Sequence, residues 1–287
     1  DWFVEGAAGI AMRFGIPQLV IGLTIVAMGT SAPEAAVSIA AAVKGNADIT
    51  IGNIVGSNIL NILVILGLAA SIVPIAVARS TVRIEIPFMI GVTALLFYQG
   101  RDGSISLADG GVLMVAFAAY MMYLYTMAMK SNVDSDLEEP GLPLGRCLLG
   151  AVGGLALIIA GSNVTVGAAT SIATYAGLSE RFIGLTIVAL GTSLPELFTS
   201  VAAARRGNAD IAIGNIVGSN IFNILFVVGL SSLIIDIPFA SAFNFDTYVA
   251  LGAAVLLWLC VLRTQRLQRW AGALMLVCYA AYLGYIL

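Results

Sequence analysis

Residues 19–68 and 181–230 are one segment written twice: a shift of 162 positions brings 35 of the 50 residues into identity. The most polar phrase, GNADITIGNIVGSN at 45–58, returns at 207–220 with only Thr50 and Ala212 differing. A repeat of this length predicts two homologous halves. The material around it narrows the fold further. The chain is 60% hydrophobic and 10% charged, far from the balance of a soluble domain. Apolar runs of roughly the 17–25 residues that cross a bilayer core recur from end to end. Strand-like alternation is absent, so these runs are read as helices.

The spans fall at 16–43, 48–72, 82–99, 107–130, 144–175, 179–204, 210–235, 245–262 and 268–287, with a partial one at 1–13. Equivalent segments lie five spans apart, an odd number, so repeat mates cross in opposite directions. The expected fold is therefore an all-α integral membrane protein of two inverted-topology repeats. Each has five helices, ten in the parent arrangement, with the start of the first one missing here. The halves are 1–130 and 144–287. Between them, 131–143 is read as a solvated acidic linker carrying Asp134, Asp136, Glu138 and Glu139.

Positive charge sets the orientation. With the first helix starting outside, the inner connectors hold Arg13, Arg79, Arg83, Lys130, Arg146, Arg205, Arg206, Arg263, Arg266 and Arg269; only Lys44, Arg101 and Arg181 fall outside. Both termini are thus expected outside a cell membrane crossed many times, the linker being cytoplasmic. Cys147, Cys260 and Cys278 are odd in number and lie in apolar segments, which argues against a disulfide framework. No nucleic-acid footprint is present, and no residue pattern suggests an enzyme, a catalytic group, a cofactor or an obligate protein partner. The bilayer is the expected surrounding.

Of sixteen acidic residues, fourteen lie in connectors or within a turn or two of a segment end. The exceptions, Glu34 in AMGTSAPEAAVS and Glu196 in ALGTSLPELFTS, are repeat mates. A charge at the bilayer centre costs about 2.5–3.5 kcal/mol on insertion scales, so two demand a function. Thr30 and Ser31 precede Glu34 by four and three positions, which places hydroxyls and carboxylate on one helical face. Pro33 removes a backbone donor and is expected to free carbonyls one turn back, around Ala27 to Gly29. Thr192, Ser193, Pro195 and Glu196, with Ala189 to Gly191, repeat the device.

The polar phrase supplies a second wall. Ser57 with Asn61, and Ser219 with Asn223, each offer a hydroxyl and an amide oxygen one turn apart. Gly52 with Gly56, and Gly214 with Gly218, form ridges that let helices approach closely. Together these residues make an oxygen cage without imidazole or thiolate, the ligand set of a hard cation such as Ca2+. Two apposed carboxylates repel, so the empty cage is the costly state. One Ca2+ neutralises it, as do two Na+ or two protons, and exchange of one cation for another follows.

The pairs GTSAPE with GNIVGSNILN and GTSLPE with GNIVGSNIFN resemble the alpha repeats of the sodium/calcium exchanger family, prokaryotic type, within the cation/calcium exchanger superfamily. The resemblance covers essentially the whole chain. It implies a first and sixth helix that slide across a core holding four cation sites. Glu34 and Glu196 would be shared by Ca2+ and Na+, assisted by Thr30 and Thr192. Ser57 and Ser219, with the Ala27 and Ala189 carbonyls, would serve flanking Na+ sites, and Asn61 and Asn223 would line the middle one. Some family members carry Asp where Asn223 stands. The amide here argues against K+ cotransport and leaves two carboxylates to carry charge. The expected function is Na+/Ca2+ antiport, electrogenic at the family's three-to-one ratio. A Ca2+/H+ or other cation/proton antiporter on the same fold is the alternative, and a passive channel or membrane sensor is the reading from another class.

Overall fold

The computed structural model describes residues 2–44, 48–131, 143–175 and 189–286. The acidic connector, apart from its two end residues, lies outside the described residues, as do Arg181 and the opening of the seventh expected span.

Helix α1 is Trp2–Arg13. A bent pair follows, α2 (Gln18–Thr30) and α3 (Ala32–Val43), meeting at 51°. Then come α4 (48–72), α5 (Thr81–Asp102), α6 (Leu107–Ser131) and α7 (Leu144–Tyr175). The second half continues with α8 (Ala189–Thr192), α9 (Leu194–Arg205), α10 (Ala209–Ile234), α11 (Ala242–Leu262) and α12 (Arg269–Ile286). Among the described residues, seven helices are long and apolar enough to cross a membrane, or eight if the bent pair is one span. The expected spans and the described helices agree within a few residues.

The core is built around α4 and α10, which are almost wholly enclosed, whereas α6, α7 and α12 turn most of their surface outward. Large apolar side chains such as Val115, Leu149, Val152 and Val277 stand on that outer surface, as lipid contact requires. Helix α2 crosses α10 at backbone distance. A Cβ placed on Gly218 would sit 2.7 Å from the Leu23 carbonyl, and one on Gly214 would sit 3.1 Å from the Gly22 Cα. Gly214 and Gly218 therefore do what their spacing suggested, and carry α2 against the centre of the molecule.

Two miniature sheets display the inversion. Strand β1 (Ile75–Ala76) pairs antiparallel with β4 (Arg266–Leu267), Ile75 opposite Leu267. Strand β2 (Ser104–Ile105) pairs with β3 (Ile237–Pro238), Ile105 opposite Ile237. The shift of 162 converts the first pairing into the second. Helix α5, about 33 Å long at 1.5 Å per residue, separates β1 from β2. Repeat mates β1 and β3 therefore lie at opposite ends of the spanning helices, as the odd count of spans requires.

The turn into each sheet needs left-handed backbone. Gly103 supplies it before β2 at φ 99°, and its repeat mate Gln265 supplies it before β4 at φ 49°. A side chain in that region costs about 1–2 kcal/mol, which glycine avoids. Replacing Gln265→Gly is expected to raise the thermal unfolding midpoint of the purified protein, corresponding to about 1 kcal/mol. An unchanged or lowered midpoint would show that the Gln265 side chain repays its strain.

Candidate functional site

The site begins at the two helix breaks. Ser31 takes φ −81°, ψ 8° between α2 and α3, and Ser193 takes φ −88°, ψ 5° between α8 and α9. A proline in the first turn of each following helix, Pro33 and Pro195, explains the break, because it has no N–H for the carbonyl four residues back and its ring crowds that carbonyl, so the preceding helix cannot run on unbroken. Glu34 and Glu196 stand in those first turns, 1% and 0% exposed, within electrostatic reach of each other.

The breaks redirect the hydroxyls. Thr30, Ser31 and Glu34 were expected to share a face, but the bend sends the Ser31 hydroxyl across the repeat boundary to Glu196 Oε1 at 2.7 Å. In return, the Ser193 hydroxyl donates to Glu34 Oε1 at 3.0 Å. Thr30 also crosses, donating to Asn215 Oδ1 at 2.9 Å. The Ala27 carbonyl is not freed as expected: it accepts the Ser31 N–H at 3.0 Å and the Ser219 hydroxyl at 3.4 Å. Its neighbourhood thereby joins α2 to α10. Ser57 is buried on α4 one turn before Asn61, Thr192 is half-buried at the end of α8, and Ala189 opens that helix.

Four asparagines close the floor. Asn58 donates its amide to the Asn220 carbonyl, and Asn220 donates to the Asn58 carbonyl, each at 3.2 Å. Asn61 donates to Asn220 Oδ1 at 2.9 Å, and Asn223 donates to Asn58 Oδ1 at 3.1 Å. The interhelical bonds use only the amide nitrogens of Asn61 and Asn223; their oxygens remain. Each of these residues opens a π-helical stretch, Asn61–Leu66 and Asn223–Val228. A donor from the opposite repeat reaches a backbone carbonyl one turn earlier, the kind of insertion that unsettles an α-helical ladder.

Asn53 and Asn215 brace the carboxylates from behind. Asn53 donates to the Ser38 hydroxyl at 2.9 Å and the Glu34 carbonyl at 3.3 Å; Asn215 repeats this with Ser200 at 2.9 Å and the Glu196 carbonyl at 3.4 Å. Asn53, Asn58, Asn215 and Asn220 were not singled out from the sequence. The signal was present, because all four lie inside the duplicated phrase.

With these bonds made, four buried acceptors at the centre have no partner among the described residues: Glu34 Oε2, Glu196 Oε2, Asn61 Oδ1 and Asn223 Oδ1. They form two pairs of repeat mates. Unpaired buried acceptors are costly, and these four, two of them on carboxyl groups, are atoms that a positive charge would satisfy.

An inverted-repeat helical bundle whose broken helices bring buried, unpartnered oxygens together has the organisation of a secondary transporter of cations. The comparisons agree on the class. The family model described as sodium/calcium exchanger protein matches residues 1–126 and 147–287. The chain is 41% identical over 247 residues to the inner membrane protein YrbG of Escherichia coli K12, covering 82% of this chain and 75% of that one. It is 32% identical over 326 residues to the sodium/calcium exchanger MaX1 of Methanosarcina acetivorans, covering 99% and 93%. The solved structure of the sodium-calcium exchanger NCX_Mj superposes with a TM-score of 0.86 at 34% identity, covering 100% of this chain and 93% of that one. The chain belongs to the sodium/calcium exchanger protein family.

The asparagine floor makes a prediction. Substituting Asn220→Ala removes the acceptor of Asn61 and the donor to Asn58, leaving two buried groups unpaired at about 1–3 kcal/mol each. The expected result is a lower thermal midpoint together with weaker cation binding, because Asn61 loses its anchor. If binding by isothermal titration is unchanged while stability falls, the floor holds the fold but does not aim the oxygens.

Proposed function

We propose that the protein exchanges Na+ for Ca2+ across a cell membrane by alternating access, at a midplane site built on Glu34 and Glu196. The observation that carries this reading is the set of four unpartnered oxygens, two anionic and two neutral, at the repeat interface. Such a set suits Ca2+, which accepts 6–8 oxygens in flexible geometry. The hydroxyls of Thr30, Thr192, Ser31 and Ser193 surround the carboxylates and complete the shell by turning a lone pair inward. Asn61 and Asn223 line the middle of the chamber. Ser57 and Ser219, with the Ala189 carbonyl, hold the flanking Na+, and the Ala27 carbonyl joins them where the ion displaces the 3.4 Å bond from the Ser219 hydroxyl. The similarity to the sodium/calcium exchangers MaX1 and NCX_Mj supports Na+ as the coupling ion.

Two carboxylates carry two negative charges. One Ca2+ cancels them, whereas three Na+ leave a net positive charge, so a three-to-one cycle moves charge. The halves 1–130 and 144–287 contribute one carboxylate each, with the acidic connector cytoplasmic and both termini outside, as the distribution of Lys and Arg favours.

Ca2+ uptake into proteoliposomes loaded with Na+ tests the coupling. Uptake is expected to follow the outward Na+ gradient and to quicken when K+ and valinomycin make the interior positive, since each turnover exports one net charge. Uptake driven by an outward proton gradient alone would instead identify a Ca2+/H+ antiporter. Indifference to membrane potential would remove the three-to-one cycle.

Removing one charge from the pair tests the site. Glu34→Gln and Glu196→Gln are each expected to weaken Ca2+ binding by about 2–5 kcal/mol, roughly thirtyfold to several thousandfold. Exchange at near-normal rates in either variant would take that carboxylate out of the mechanism.

A further inference from the structure

Glu85 is one of the fourteen acidic residues that the sequence places near a segment end, yet its side chain is 0% exposed. It lies in the first turn and a half of α5, away from the exchange chamber, within a π-helical stretch, Thr81–Glu85. The arginines nearest in sequence, Arg79 and Arg83, point outward, and among the described residues no cation pairs with Glu85. Its Oε1 accepts the hydroxyl of Tyr123 from α6. Among the described residues its Oε2 and the Tyr120 hydroxyl, 5% exposed, have no hydrogen-bond partner, and the Thr81 hydroxyl, 0% exposed, faces only the Glu85 carboxylate.

Thr81 and Tyr120 both act on the Glu85 carboxylate. Thr81 stands one turn before Glu85 on the same helix face. Tyr120 stands beside Tyr123, their ring centroids 6.4 Å apart, and is held by stacking on Phe88 at 5.2 Å. It lies within electrostatic reach of the Glu85 carboxylate. We infer that Glu85, Thr81 and Tyr120 form a second cation site, separate from the exchange chamber, that takes a single monovalent ion such as Na+.

Charge and valence select this occupant. A buried carboxylate without a counter-charge is expensive, and one positive charge cancels it, whereas a divalent ion would leave an excess charge in apolar surroundings. A water molecule could bridge the three oxygens but would leave the charge. A proton would remove the charge but give the site one donor, enough for one of the two hydroxyl oxygens. A monovalent cation answers both needs, because each of the three oxygens can point a lone pair at it. Among the described residues the second half does not repeat the arrangement: the mates of Thr81 and Glu85 are Phe243 and Thr247, the Thr247 hydroxyl is spent on the Phe243 carbonyl at 2.7 Å, and Tyr282, the mate of Tyr120, donates to Asp246 Oδ1 at 2.8 Å.

Trp258 offers a reporter, since its indole N–H donates at 2.9 Å to the carbonyl of Val82, within the same π-helical stretch. The test uses the full chain with Glu34→Gln and Glu196→Gln to silence the exchange chamber, and Trp2→Phe and Trp270→Phe to leave Trp258 alone. NaCl is titrated against choline chloride at constant pH and ionic strength. The expected result is a saturable change in Trp258 fluorescence that disappears with Glu85→Gln and whose midpoint moves to several-fold higher Na+ with Tyr120→Phe. Because the chamber is silenced, the result does not depend on how the exchange site works. The inference is overturned by a flat titration with Glu85 intact, by a response indifferent to Glu85→Gln, or by an unmoved midpoint in Tyr120→Phe, which serves alone if Glu85→Gln does not fold. Reproduction of the whole signal by acidification without Na+ would identify a proton site instead and equally overturn it.

Discussion

Water is absent from the middle of a bilayer, so every backbone carbonyl and amide there must find a partner within the protein. The exchange of amide donors between Asn58 and Asn220 meets that constraint in a particular way, because each asparagine satisfies the main chain of the other repeat. The two central helices are thereby fixed to each other at their polar midpoints rather than by apolar packing alone. Asn61 and Asn223 then bond to the side-chain oxygens of that same pair, and only after this are their own oxygens free to face inward. The chamber's neutral oxygens are a by-product of how the helices are joined.

The carboxylates obey the same logic. Ser31 of the first half orients Glu196 of the second, and Ser193 orients Glu34. Neither half can build a site by itself, since the hydroxyl that steers each carboxylate belongs to the other. Inversion is what makes this possible. Two copies related by an axis in the membrane plane bring the same depth of each half into contact, so groups written at the same place in the repeat meet at the midplane.

Much of this was legible in the letters, and the rest was hidden for identifiable reasons. The halves, their inversion and the pair Glu34 and Glu196 follow from a repeat in an apolar chain, where polar residues stand out. The partners of the hydroxyls did not follow, because helical periodicity assumes a straight helix and the 51° bend at Ser31 destroys the shared face. The bracing role of Asn53 and Asn58 was equally hidden, since an asparagine used for structure looks the same as one used for ligation. Glu85 was obscured by proximity to Arg83 and a segment end, which suggests solvent contact. Burial there is set by Tyr120 and Tyr123 on a helix that begins 22 residues later.

Where the halves differ is as informative as where they agree. A carrier of two identical inverted halves would have equal energies when open to either side, because one arrangement becomes the other by a half-turn about the in-plane axis. This chain departs from equality at definite points. Thr50 donates to the Ser38 carbonyl at 3.2 Å, a bond that its mate Ala212 cannot make, so α3 and α4 carry a tie that α9 and α10 lack. Glu85 places a carboxylate in the first half where the second has Thr247. The first difference is a bond without a counterpart and the second a buried carboxylate set against a hydroxyl, and wherever such a contact is made in one open state and not in the other the balance shifts by its energy. A bond worth about 1 kcal/mol already moves such an equilibrium about fivefold. The direction in which the carrier rests is thus written in the few positions where the repeat fails to repeat.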